Sequence, residues 1–209
     1  WDGGGATNNW SDSANWSGDV APTIADDIIL DGTSTKNSNI DAAFTVNSVS
    51  INGGFTGTIT QNAAFTVTNA FTQSAGIFQG TAVNATFGSL NLSASAVFNA
   101  PSGTLTLNAQ TYAFILQKDA SAVFNANGGT VEAKGASPNF PFGGTATITF
   151  NNLTISTNTL VYGPFVVNGT LTIGSNSSMS GGVPVIANGN VVFANDADGV
   201  SGNTEIHFS

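Results

Sequence analysis

The chain has 209 residues, a net charge of -9, three Lys, no Arg and no Cys, and only 7% of it is charged. That length suits one domain with a substantial core, or two small ones. Charge this sparse excludes long surface helices and coiled coils, Lys36, Lys118 and Lys134 cannot form a nucleic-acid footprint, and the lack of Cys excludes a disulfide scaffold.

The first stretch carries seven of the twelve acids, Asp2, Asp12, Asp19, Asp26, Asp27, Asp31 and Asp41, and all three tryptophans, Trp1, Trp10 and Trp16. Composition changes near residue 41. Residues 1–41 therefore read as an N-terminal capping segment rich in Trp and Asp, and residues 42–209 as one continuous domain of repeats. Trp1 stands directly in a structured motif, so the N-terminus reads as a processed or cloned one, without a signal peptide. Three indoles set among Gly and Asn turns would fold over the apolar end of a repeat stack. The same rings could instead form a glycan platform, with Trp1, Trp10 or Trp16 stacked on sugar faces. Ile28-Ile29-Leu30 reads as a buried strand, and no apolar run approaches the roughly 18 residues that span a bilayer. Asp26 and Asp27, with Asp31 nearby, are candidates to gather a calcium ion, against the plainer reading of hydrated carboxylates along a strand edge.

From residue 42 the pattern is alternation, one side chain in and the next out, which is the signature of strands. Gly57-Thr58-Ile59-Thr60, Phe65-Thr66-Val67-Thr68, Thr104-Leu105-Thr106-Leu107, Thr147-Ile148-Thr149-Phe150 and Thr170-Leu171-Thr172-Ile173 all show it. The segments also repeat. Ala42-Ala43-Phe44-Thr45-Val46 returns as Ala63-Ala64-Phe65-Thr66-Val67, an offset of 21. Ala94-Ser95-Ala96-Val97-Phe98-Asn99-Ala100 returns as Ala120-Ser121-Ala122-Val123-Phe124-Asn125-Ala126, an offset of 26, and Gly103-Thr104 is answered by Gly129-Thr130. Leu153-Thr154-Ile155 matches Leu171-Thr172-Ile173 at 18, and Asn168-Gly169 matches Asn188-Gly189 at 20. An antiparallel sandwich has no need of such self-similarity. The predicted fold is all-β, a parallel β-solenoid (β-helix) with an N-terminal Trp-rich cap. At about 4.8 Å per coil the chain would make roughly eight to ten coils and a rod of about 40–45 Å.

Few side chains in the repeats could carry chemistry. Glycoside hydrolysis needs two facing carboxylates, and Asp119 and Glu132 fall half a period apart, on different faces. A polysaccharide lyase needs a cationic clamp, and Lys118 and Lys134 have no acid cluster beside them. His207 is the only imidazole and reads as an exposed residue near the C-terminal end of the sequence. Asn195-Asp196-Ala197-Asp198-Gly199 resembles the opening of a calcium loop, but Val200 stands where a ligand belongs, and an Asp-Gly turn competes. Asp196, Asp198, Asp26 and Asp27 are thus the metal candidates, and no cofactor other than calcium is suggested. The Thr-X-Thr pairs suggest an ice-binding face, but offsets of 18 to 26 argue against the strict registry such a face needs. The Asn-X-Ser/Thr triplets at Asn9, Asn15, Asn84, Asn91, Asn152, Asn168 and Asn176 follow from composition.

The N-terminal run Trp1-Asp2-Gly3-Gly4-Gly5, Asn9-Trp10-Ser11, Asn15-Trp16-Ser17-Gly18-Asp19, Pro22 and Asp26-Asp27-Ile28-Ile29-Leu30 resembles the opening of β-strand-repeat regions in large bacterial surface proteins of the autotransporter-adhesin type. Ile148-Thr149-Phe150-Asn151-Asn152-Leu153-Thr154-Ile155 and Val167-Asn168-Gly169-Thr170-Leu171-Thr172-Ile173 resemble those repeats as well. The resemblance implies an extracellular parallel β-helix with a structural or adhesive role and no catalytic residues. The expected function is therefore a structural or adhesive module at a bacterial cell surface, not an enzyme. Its alternating Glu205-Ile206-His207-Phe208-Ser209 end would meet another copy or the next repeats of a longer chain. A carbohydrate-binding module built on the tryptophans is the alternative, ahead of an ice-binding or polysaccharide-degrading β-helix. Surface glycans are thus a candidate partner, and nucleic acid and membrane insertion are not expected.

Overall fold

A computed structural model describes residues 1–109, 114–135, 140–142, 146–197, 199–202 and 204–209. Asn, Gly and Ser steps cut the sequence into short strands, most of three or four residues. Each turn of the chain lays its strands on those of the turn before. The result is a parallel β-solenoid of about 8 turns. Among the described residues the single helical element is the short 3-10 turn Ser13–Asn15.

The coil has three faces. On the first, Phe44–Val46, Phe65–Gln73, Ala85–Leu92, Thr104–Ala109, Thr130–Gly135, Asn152–Ile155, Leu171–Ile173 and Val191–Phe193 stack in that order. Their inward column is Val46, Val67, Phe87, Leu107, Ala133, Ile155 and Ile173, all fully buried. The strands Phe65–Gln73 and Ala85–Leu92 run around the corner to the second face, and a register shift between Val67 and Ala70 makes that bend. The second face carries Ile28, Val49, Phe71, Leu90 and Leu116 in register. On the third face Ile59, Phe78, Phe98 and Phe124 stack. The Phe78 and Phe98 rings lie 4.7 Å apart and 6° from parallel. Phe98 and Phe124 lie 6.0 Å apart at 5°. The apolar ladder is thus continuous inside the rod, as parallel sheets covered on their inner side require.

The internal repeats are stacked rungs. The offset of 26 sets Val97, Phe98 and Asn99 under Val123, Phe124 and Asn125. The offset of 21 sets Phe44, Thr45 and Val46 under Phe65, Thr66 and Val67. The offset of 18 sets Leu153 under Leu171. Turns absorb the difference in length, so the strands keep register while the period drifts. The aligned glycines have a steric cause. A Cβ at Gly129 would come within 2.1 Å of the Pro101 carbonyl oxygen and 2.6 Å of that of Gly103, so the turn of one coil seats directly on the backbone of the last.

The abundance of Asn also has a cause. An Asn amide both donates and accepts, so stacked copies satisfy one another. Asn39 Nδ2 donates to Asn9 Oδ1 at 2.9 Å, and Asn62 Nδ2 to Asn39 Oδ1 at 2.7 Å. Asn99 donates to Gln79 Oε1 at 2.8 Å and Asn125 to Asn99 at 2.7 Å. Asn188 donates to Asn168 at 2.8 Å.

The ladder starts before the composition break at residue 41. Asp27–Leu30 is paired with Ser48–Ile51, and Ser38–Ile40 with Thr58–Gln61. Residues 27–40 are therefore rungs of the first coil, and the segment lying across its end is residues 1–26. Acid content marks the cap and its first neighbour alike, because carboxylates near the cap serve as hydrogen-bond acceptors there.

Candidate functional site

The cap is built outward from Trp10, which has no exposed surface. Its ring meets Trp16 at 5.1 Å, Phe65 at 5.2 Å and Phe44 at 5.7 Å, all edge to face. Trp1 packs on Trp16 at 5.2 Å in the same manner. Edge-to-face contact places the positive rim of one ring on the negative face of the next. Trp16 Nε1 donates to the Trp10 carbonyl oxygen at 2.8 Å, which fixes the two residues to each other. The backbone joins the solenoid as well. Trp10 N donates to Asn39 O at 2.9 Å and Asn39 N to Asn8 O at 2.7 Å, which adds a partial rung to the third face.

Polar groups hold the loops around the indoles. The buried Asn15 amide donates to Thr7 O and Asn9 O at 3.1 and 2.9 Å and accepts from Gly5 N at 3.0 Å. Lys36 Nζ donates to Gly3 O, Gly5 O and Thr7 O at 3.0, 2.8 and 3.0 Å, which uses all three of its hydrogens. Neither role was legible in the sequence, because nothing in the spacing brings residue 36 back to residues 3–7.

The three tryptophans therefore close the end of the rod. Trp1, Trp10 and Trp16 are buried there, with 8%, 0% and 6% of their surfaces exposed. The calcium candidates are likewise taken up locally. Asp26 Oδ2 accepts from the Thr23 amide and hydroxyl at 2.7 and 2.8 Å. Asp27 Oδ1 accepts from Asn47 and Ser48 at 2.8 and 2.6 Å, and Asp31 Oδ1 from Thr33 N at 2.8 Å. Asp196 Oδ2 accepts from Asn176 Nδ2 at 3.4 Å. Asp198 lies outside the described residues. Among the described residues no three acids or imidazoles gather as a metal site.

The lone chemical groups of the wall stay apart. Glu132 sits in the middle of the first face, accepting from the Thr106 hydroxyl at 3.2 Å and the Ser156 hydroxyl at 3.0 Å. Asp119 follows Leu116–Lys118 on the second face. His207 pairs with Glu205 at 3.0 Å in the open.

Threonine behaves differently from the sequence expectation. Its drifting period suggested poor registry, yet Thr45, Thr66, Thr86 and Thr106 form one outward column on the first face. Glu132 interrupts it, and Thr154 and Thr172 resume it. Registry belongs to strands, and the drift lies in turns. Three of the five Thr-X-Thr pairs give the column one threonine each, Thr66, Thr106 and Thr172. Thr60 and Thr149 are on the third face.

Hydrogen bonding holds several carboxyls of the cap region below their ordinary value of 3.8. The Thr7 hydroxyl does so for Asp12, the Thr23 amide for Asp26, the Ser48 hydroxyl for Asp27 and Thr33 for Asp31. At Asp41 burial raises the value, but the Ser11 hydroxyl and amide outweigh it. A carboxyl lowered in the folded state stabilises that state above its unfolded value and loses this contribution as pH falls through its folded value. Indole fluorescence is thus expected to hold constant from about pH 5 to 8 and to shift red below about pH 4. An emission spectrum unchanged down to about pH 2 would contradict it.

Compared with protein-family models, curated proteins and solved structures, the chain matches none.

Proposed function

We propose that this chain is a non-enzymatic structural or adhesive module of a bacterial cell surface, a stiff rod whose last coil meets either a second copy of itself or the next repeats of a longer chain. The observation that carries the reading is the parallel ladder, continuous along the first and second faces and closed by indoles at one end. Such a ladder resists bending because backbone hydrogen bonds and the apolar core both run along its axis. At the other end Val191–Phe193, Gly199–Gly202 and Ile206–Phe208 are each paired on one side only among the described residues. Phe193 and Phe208 there are 49% and 71% exposed. Unpaired strand edges beside exposed rings are a template for further strands. The likeness of the tryptophan motif and repeats to autotransporter-adhesin β-strand repeats supports the same setting, as does a wall of Thr, Asn and Ser without Cys.

Negative-stain microscopy of the purified chain over a range of concentrations tests the stacking. Rods in end-to-end rows, growing with concentration and shortened by Phe208→Asp, are the expected result. Single rods of about 40 Å at the highest concentration would remove self-stacking and leave the next coil of a longer chain as the partner.

A second reading rests on the threonine column. Each threonine of the column presents a hydroxyl and a methyl, and neighbouring rungs repeat at about 4.8 Å, an array able to order water and adsorb to ice. Thermal hysteresis in the chain, abolished by Thr86→Lys with Thr106→Lys, is the expected result. Ice growth unaffected by millimolar protein would end this reading.

A further inference from the structure

We propose that Asn52 is the site of a covalent self-modification, in which the Gly53 nitrogen displaces its amide and water opens the resulting ring to aspartate and isoaspartate. The chain holds four Asn-Gly steps, at 52–53, 127–128, 168–169 and 188–189. Glycine hinders attack by its own nitrogen least, because no Cβ shields it. The sequence does not rank these steps; the fold does.

At Asn168 the attacking group is occupied, since Gly169 N donates to Asn151 O at 2.7 Å, and the carboxamide accepts from Asn188 Nδ2 at 2.8 Å. At Asn188 that same bond holds Nδ2, and the Ser209 hydroxyl donates to Oδ1. Gly189 is pressed on the coil before it, where a Cβ would come within 2.1 Å of the Gly169 carbonyl oxygen. Asn127 Nδ2 donates to Ala100 O at 3.2 Å, and its step is fixed in a left-handed turn, with φ of 51° at Asn127 and 77° at Gly128. Asn52 differs. Its side chain is exposed, and neither its carboxamide nor the Gly53 N–H has a hydrogen-bond partner among the described residues. Its backbone is anchored all the same, with N donating to Leu30 O at 2.8 Å and O accepting from Phe55 N at 3.2 Å. Nothing lies within 4 Å of where a Gly53 Cβ would stand, so the carboxamide has room to turn onto the nitrogen.

The step balances. Gly53 N gives up its proton and bonds to Asn52 Cγ, the Cγ–Nδ2 bond breaks, and ammonia leaves with that proton, which closes a cyclic imide. Water then cleaves either C–N bond of the ring. Cleavage at Cγ gives aspartate. Cleavage at the main-chain carbonyl gives isoaspartate, which runs the chain through Cβ and Cγ and lengthens it by one atom. Ile51 pairs with Leu30, so either product sets a carboxylate on the rung next to that of Asp31, and like charges so placed repel. The longer form also disturbs the corner where Gly54 seats on Gly32, close enough that a Cβ on Gly54 would come within 3.1 Å of the Gly32 Cα.

The proposal does not depend on coil stacking. The full chain is held folded in heavy-oxygen water at mildly alkaline pH, then digested at acid pH, and its peptides are separated and identified by mass. The expected result is one heavy oxygen in the peptide carrying Asn52, divided between aspartate and isoaspartate forms. It should accumulate about tenfold or more faster than in the peptide carrying Asn168, whose attacking nitrogen must first break a hydrogen bond. In the urea-unfolded chain all the Asn-Gly steps should react at similar rates. Gly53→Ala, whose Cβ meets nothing, should suppress the reaction at Asn52. Should that variant unfold by circular dichroism, the comparison of folded and urea-unfolded parent decides alone. Equal rates at Asn52 and Asn168 in the folded chain, faster reaction at any other Asn-Gly step, the same ranking in urea, or undiminished reaction in a folded Gly53→Ala chain would each overturn the proposal.

Discussion

Replacing Trp10 with Ala is expected to cost about 3–5 kcal/mol, much of the stability of an ordinary domain. Neither of the other cap tryptophans is so enclosed. Its ring touches Trp16, Phe44 and Phe65, so its loss opens a cavity at the junction of cap and solenoid. Its backbone is also where the cap joins the third face, through Asn39 O, and where Trp16 Nε1 finds its acceptor. Collapse into the cavity would pull both contacts out of line. In a solenoid each coil depends on its neighbours, so the damage should begin at one end. Hydrogen exchange should show residues 1–67 losing protection first, and urea unfolding should give the loss. Trp10→Phe, which keeps an edge for Trp16, should recover part of it. A loss under about 1 kcal/mol would mean that the cap is not held by its indoles.

The fold was legible because a solenoid writes its stacking into the sequence as repeats. Seven identities between residues 94–100 and 120–126 are one rung over another, and the Gly103/Gly129 pair is a backbone contact that excludes a Cβ. The cap was legible for a different reason, since three tryptophans outside a repeating pattern need a surface to cover. Composition changes near residue 41 while strand pairing begins at Asp27, because composition follows hydrogen-bonding role. Asp27 and Asp41 belong to the first coil yet read as cap because both face it or its neighbours. The registry of the threonine column could not be read from periods, since a period adds strand and turn lengths while register depends on strands alone. The buried glutamines Gln61 and Gln73 left no signal at all. In an alternating strand they occupy inward positions, where an apolar residue is the expectation.

Those glutamines lead to the second large effect, that of Gln73→Glu. Gln73 has no exposed surface, and its Nε2 donates to the carbonyl oxygens of Ala75, Gly76 and Val97 at 3.1, 3.0 and 3.1 Å. Gln61 makes the same arrangement with Ala63, Val83 and Asn84 at 3.2, 3.1 and 3.0 Å. Each amide therefore ties a turn of its own coil to the coil above. Glutamate has the same shape but offers no donor when ionised, and it would place a buried negative charge against three carbonyl oxygens. A buried charge without a partner costs about 3–5 kcal/mol. The introduced carboxyl can reduce this by staying protonated, which raises its folded pKa above the unfolded value of about 4.3. The sign follows. The variant is closest to the parent near pH 4.5 and falls further behind as pH rises toward its folded pKa, where the unfolded chain ionises and the folded chain resists. Gln73→Met separates charge from the hydrogen bonds. It removes the amide donor without adding a charge, and the Gly76 carbonyl keeps its bond from Val97 N at 3.1 Å, so a loss of about 1–3 kcal/mol independent of pH is expected. Urea midpoints of the three proteins at pH 4.5 and 7.5 decide the matter. Equal stability of the glutamate variant and the parent at pH 7.5 would show that water reaches this corner and that the amide does not bind the coils together.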